Sequence, residues 1–101
     1  MTRVGNIDVP MDELMELCRR YQVRELAVFG SALRDDFRDD SDIDLLVEFD
    51  PEARVGLIRF YQLQFELERL FHRSIDLVSK AGLHRVIRGH VLASSEVVYA
   101  A

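Results

Sequence analysis

The sequence predicts an α+β domain, a small mixed sheet with flanking helices. Three observations carry this. The run Leu26-Ala-Val-Phe29 is apolar and ends in Gly30-Ser31. From Asp42 to Phe49 the side chains alternate, so that Ile43, Leu45, Val47 and Phe49 share one strand face while Asp42, Asp44, Leu46 and Glu48 share the other. Between about Leu57 and Phe71 the period changes to that of a helix.

The predicted order is α-β-(short α)-β-α-β-α with a possible last strand. Pro10 suits a first helical turn. Met11, Leu14, Met15, Cys18 and Tyr21 then form an apolar stripe, with Asp12 and Glu13 near its start and Arg19 and Arg20 near its end. Cys18 lies on that stripe and reads as core rather than as a nucleophile. Strands follow at about 24–29 and 42–49. Asp50-Pro51 ends the second strand, and the chain to Gly56 reads as a loop. A short β-prone run, Ser74-Ile-Asp-Leu-Val-Ser79, precedes a third helix at about 83–92 carrying Leu83, Val86, Ile87 and Val91.

The helix at 57–71 carries two apolar stripes. Leu57, Phe60, Leu63, Leu67, Leu70 and Phe71 form one, and Ile58, Tyr61 and Phe65 the other. One stripe suffices for the core. The second is either additional core or a surface patch for a partner, and the patch is the reading preferred here.

Candidate chemistry gathers at two strand ends. Asp42 and Asp44 sit on one face, their Cα atoms roughly 6–7 Å apart. Such a pair is disfavoured unless neutralised, because like charges raise each other's pKa. A hard, oxygen-seeking cation such as Mg²⁺ removes the conflict. Asp76, inside an apolar strand, is a third candidate; its alternatives are a turn cap or an arginine partner. Gly30 permits close backbone approach, and Ser31 offers a hydroxyl and an N–H suited to phosphate oxygens. Arg34 either reaches the phosphates or pairs with Asp35 or Asp36. Neither a P-loop nor a dinucleotide fingerprint is present. Lys80, the one lysine, reads as a loop residue or a phosphate contact. His72, His84 and His90 lack zinc spacing and read as surface or capping residues.

Gly30-Ser31, ten intervening residues, Asp42-x-Asp44 and a later strand aspartate together resemble the nucleotidyltransferase superfamily that includes DNA polymerase β. At this length the chain is similar to the minimal nucleotidyltransferases, the MNT antitoxins of HEPN/MNT toxin–antitoxin pairs. The likeness runs from about Val23 to Tyr99. It implies a nucleotidyltransferase fold, with Gly30 and Ser31 holding the triphosphate. Asp42, Asp44 and Asp76 would be the metal ligands and catalytic carboxylates of a two-metal Mg²⁺ site. It also implies transfer of AMP from ATP to a hydroxyl side chain, often tyrosine, of a HEPN ribonuclease toxin. Relatives commonly carry Gly where this chain has Asp35. The acidic run Asp35–Asp40 therefore predicts modest activity, or a site completed by the partner. The alternative is a binding module that neutralises its partner by occlusion.

Charge and composition set the remaining bounds. The chain has 101 residues, one predicted domain (1–101), about half of them hydrophobic. Thirteen basic and eighteen acidic residues give a net charge of −5. Residues 35–50 hold eight acids and one base, a local −7, which leaves +2 for the rest. That arrangement opposes direct nucleic-acid binding. The single cysteine fits a reducing compartment. No signal-peptide pattern and no membrane-length apolar run is seen, so a prokaryotic cytoplasm is expected. A homo- or hetero-oligomer is compatible with all of this.

Overall fold

The computed structural model describes residues 2–83 and 85–101. It begins with a hairpin absent from the predicted order. β1 (Thr2–Val4) pairs antiparallel with β2 (Ile7–Val9), in register Val4 to Ile7. The connection is two residues, Gly5-Asn6, with Gly5 at φ +57°. Two-residue hairpins need that left-handed position, and Gly-Asn is one of their sequence signatures. The signal was therefore present, but two three-residue strands are too short to show alternation.

Helix α1 (Met11–Arg20) buries Leu14, Leu17 and Cys18, and Tyr21 follows at 7% exposure. The expected stripe holds except at one position. Met15 is 37% exposed, and Leu17 faces the core instead. Leu14, Leu17, Cys18 and Tyr21 have the spacing of one helical face, and Met15 lies on its flank.

β3 (Val23–Phe29) is the sheet's inner axis. β4 (Ile43–Phe49) pairs antiparallel with it on one side and β6 (Glu96–Ala100) antiparallel on the other. β5 (Ile75–Ser79) pairs parallel with β4, giving the order β5-β4-β3-β6. The sheet is thus mixed, as expected. The parallel step is bridged by α2 (Leu57–Phe71), the usual solution for parallel neighbours. Its boundaries match the predicted helix. His72 caps it at φ 55°, its backbone N–H donating to the Glu68 carbonyl.

The core lies between one sheet face and helices α1 and α2. Leu26, Val28, Ile43, Leu45 and Val47 meet Leu14, Leu17, Leu63 and Leu67, all nearly solvent-free. Phe60, Leu70 and Phe71 are partly buried against this cluster. Leu57 is not; at 70% exposure it departs from the expected core stripe. Packing of α2 on the sheet starts at Phe60, which meets Phe49 edge-on at 6.4 Å, so the first turn overhangs. Ile58, Tyr61 and Phe65 are exposed at 79%, 48% and 65%. The second stripe is surface, not core.

After β5 a single 3-10 turn (Lys80–Gly82) delays α3, which runs Arg85–Ser94 and not from residue 83. The side chains of Val86 and Ile87, and His84 altogether, lie outside the described residues. His90 is exposed. Among the described residues no helix is long and apolar enough to cross a membrane.

Cys18 is fully buried, and burial pushes its thiol from 9.0 up to about 12. The folded state keeps a proton that the unfolded chain releases near pH 9. Stability from this group is present below that pH and falls as pH rises toward 12. A thiol-specific reagent at pH 8 is expected to label Cys18 at least about a hundredfold more slowly in the folded protein than in denaturant. Equal rates would show that α1 does not seal this position.

Candidate functional site

The strand pairings bring the predicted residues to one end of the sheet. β3 finishes at Phe29, which stands opposite Asp44 near the start of β4. The parallel β4–β5 register places Asp44 directly beside Asp76, and Ile43 beside Ile75. The isoleucines face the core, so both aspartates face away from it. Asp42 precedes β4 by one residue and is exposed, as is Asp76, while Asp44 is half-buried.

Gly30 closes this corner. It has φ +73°, a conformation that favours glycine. A Cβ built there would overlap the Asp44 carboxylate. Any larger residue would have to displace the central acid. The chain then turns through a 3-10 segment (Gly30–Leu33), whose Ser31 backbone N–H favours the charged form of the Asp44 carboxylate.

Asp44 carries the electrostatic conflict of the site. Burial raises its pKa first, then the Asp76 charge and a side-chain hydrogen bond to Asp76, then the Asp42 charge; the Ser31 N–H opposes them. Two carboxyls in hydrogen-bonding contact need a proton or a cation between them. Among the described residues no lysine, arginine or histidine forms a salt bridge with Asp42, Asp44 or Asp76. Nor do three Asp, Glu, His or Cys side chains already close on a common point. The donor set, oxygen-only and short of positive charge, fits a hard divalent cation. It is an open ledge and not a preformed cage.

The two basic candidates are placed differently. Arg34 is exposed and its Nε donates to Asp36 Oδ1 at 3.2 Å, the pairing named as its alternative role. Lys80 stands at the other end of the same sheet face. Its Nζ lies 3.7 Å from Glu25 and 3.9 Å from Glu48. Those glutamates are direct cross-strand partners, so the lysine neutralises a like-charge pair. Neither a free loop lysine nor a phosphate contact describes it.

Two residues that support the site escaped the sequence reading. Asn6, in the hairpin turn, donates from Nδ2 to the carbonyls of Ala32 (3.0 Å) and Arg34 (2.6 Å), and its backbone N–H also reaches Ala32 (2.9 Å). It ties the hairpin to the Gly-Ser turn. Arg73, just before β5, donates from Nη1 to the carbonyls of Arg38 (2.7 Å) and Ser41 (2.8 Å). The Gly5-Asn6 turn gave a usable signal for the first; an arginine beside a strand gives none for the second.

Comparison with known proteins bears on the family and the fold. The family model described as a nucleotidyltransferase domain matches residues 13–99. The protein adenylyltransferase MntA of Thermococcus cleftensis is 44% identical over 84 residues, covering 83% of this chain and 81% of the relative. Among solved structures, a toxin–antitoxin complex with AMP-PNP superposes with a TM-score of 0.73 at 19% identity, covering 92% of this chain and 75% of that one. A complex of tri-AMPylated Shewanella oneidensis HEPN toxin with MNT antitoxin gives 0.65 at 19% identity, covering 90% and 70%. At such identities these two structures speak for the fold. The matched span contains the Gly-Ser corner and all three aspartates, and the chain belongs to the nucleotidyltransferase domain family.

Proposed function

We propose that this chain is a protein adenylyltransferase that moves AMP from ATP to a hydroxyl side chain of a HEPN-type toxin, and thereby acts as its antitoxin in a prokaryotic cytoplasm. The observation that carries it is the Asp44–Asp76 pair, in register beneath Gly30. The 44% identity to the Thermococcus adenylyltransferase supports the choice of acceptor class.

In this reading residues 1–101 act as a single domain. Asp42, Asp44 and Asp76 hold Mg²⁺, which supplies the positive charge that a triphosphate and a departing pyrophosphate require. Asp76, exposed and directly beside Asp44, takes the proton of the attacking hydroxyl. The acceptor oxygen bonds to the α-phosphorus, and the bond from that phosphorus to the bridging oxygen of the β-phosphate breaks, releasing pyrophosphate. The Gly30-Ser31 corner lets the triphosphate approach the backbone, where the Ser31 hydroxyl is available as a donor. Arg34 joins only by leaving Asp36, a small cost because both partners of that bridge are exposed.

A second reading, neutralisation by occlusion, is favoured by a different observation. Leu57, Ile58, Tyr61 and Phe65 form an exposed apolar ridge on α2, which suits protein binding without chemistry. Incubation with labelled ATP, Mg²⁺ and the neighbouring-gene protein separates the two. Label transfer is expected, falling by roughly 10²–10³ or more in Asp44→Ala, as when one electrostatic stabiliser of a transition state is removed. Toxin neutralisation that survives unchanged in Asp42→Ala and Asp44→Ala would establish occlusion instead.

Gly30→Ala tests the corner itself. The left-handed backbone and the collision with Asp44 predict a loss of about 1–3 kcal/mol in stability, together with loss of transfer. A variant with wild-type melting and activity would show that the approach is not needed.

Metal linkage gives a further test. At a hundred times their dissociation constant, Mg²⁺ and ATP together should stabilise the fold by about 2.7 kcal/mol, a rise on the order of 10 °C in melting temperature. Asp44→Asn should fold but show little of this rise. Equal rises in both proteins would place the metal elsewhere.

A further inference from the structure

The loop that delivers Asp42 is strongly acidic, with Asp35, Asp36, Asp39 and Asp40 in six residues. Left to itself such a loop expands by self-repulsion. Here its last part is a closed turn. The Ser41 N–H donates to the Arg38 carbonyl at 3.1 Å, and the Arg38 N–H donates to Ser41 Oγ at 3.0 Å. The turn is fastened from outside by Arg73. One guanidinium nitrogen bonds both the Arg38 and the Ser41 carbonyls, and the guanidinium lies 4.4 Å over the Phe37 ring. The next link is backbone. The Ile43 N–H donates to the Ser74 carbonyl at 3.0 Å.

The chemistry of these contacts is informative. Arg73 reaches a loop that carries four aspartates in its sequence, yet it forms no salt bridge among the described residues. One of its nitrogens takes two carbonyls and its flat face takes a ring instead. A cation used this way fixes backbone, because carbonyl oxygens and a ring held at three points cannot slide. The segment it fixes runs from Phe37 to Ser41 and ends against Asp42. Arg73 itself lies three residues before Asp76. One side chain thus joins the approach to the first aspartate with the approach to the third.

We propose that Arg73 is a positioning residue that sets Asp42 relative to Asp44 and Asp76, and so tunes the divalent-cation affinity of the site. This rests on the metal reading above. Asp42 has no strand pairing of its own, unlike Asp44 and Asp76, whose places come from the β4–β5 register. Its position depends on the turn before it, and that turn depends on Arg73. A lysine cannot fully substitute, because its ammonium can donate to the two carbonyls but has no flat guanidinium face to stack on Phe37.

The test compares wild type, Arg73→Lys and Arg73→Met by two measurements. Amide hydrogen exchange on metal-free protein reports the turn directly. Calorimetric titration of Mn²⁺ into protein saturated with non-hydrolysable α,β-methylene ATP reports the site. Both variants are expected to exchange faster at residues 38–42 while β3 and β4 keep their protection, and to bind Mn²⁺ about 10–100-fold more weakly, the loss typical of removing an outer support of a ligand. Wild-type exchange and wild-type Mn²⁺ affinity in the variants would overturn the proposal. Faster exchange with unchanged affinity would also overturn it, since the turn would then be structural only. If Arg73→Met loses β3 protection and unfolds, Arg73→Lys decides on the same criteria. Absence of Mn²⁺ binding by wild type would instead refute the metal site, and unchanged exchange at 38–42 would still refute the clamp.

Discussion

The site depends on a like-charge contact that the fold enforces. Parallel pairing of β4 with β5 in one register, and no other, sets Asp44 against Asp76. The register is not free to slip. Ile43, Leu45 and Val47 on β4 and Ile75 and Leu77 on β5 are buried on the opposite face, and a one-residue slip of either strand would turn its own apolar set toward solvent and its acid toward the core. Burial of these apolar side chains thus holds together two carboxyls that would otherwise separate. Hydrophobic burial sets an electrostatic conflict at a defined point, of the kind that a proton or a cation relieves.

The rest of the sheet face is arranged so that this conflict remains local. Four residues along from Asp44 is Glu48, a rise of roughly 13 Å, and there the acid pair Glu25–Glu48 is closed by Lys80. Between the two ends lie Leu46 and Ala27, both nearly solvent-free. One end of the face is neutralised by a lysine; at the other, among the described residues, no basic side chain forms a salt bridge with the aspartates.

Much of this was legible beforehand because it follows from period-two alternation. Asp42, Asp44 and Asp76 could be assigned a common side from the apolar residues between them, and the 57–71 helix from its period. The limits of that reasoning are equally specific. Leu57 was placed in the core because its spacing fits, but spacing does not say where along a helix the packing starts. Met15 and Leu17 exchanged roles because four adjacent apolar candidates overfill one face. Lys80 was read as a loop residue because its partners, Glu25 and Glu48, belong to strands distant in sequence. Arg73 was silent for the same reason, since its partners are carbonyl oxygens, which every residue possesses.

The corner at Gly30 shows how a small domain assembles a site from parts too weak to hold it singly. The Gly-Ser turn is only four residues long and is braced by Asn6 from a hairpin that is itself only three residues a side. An isolated hairpin of that size is marginal in water, so the brace works in both directions: Asn6 secures the turn, and the turn secures the hairpin. Gly5 serves the same contact, for a Cβ there would strike the Ala32 carbonyl. Two glycines with positive φ, at 5 and 30, therefore act at one junction. The first lets the hairpin approach the turn, and the second lets the turn approach Asp44. The ledge built in this manner is braced from the protein side, and two of its three carboxylates, Asp42 and Asp76, are exposed to solvent.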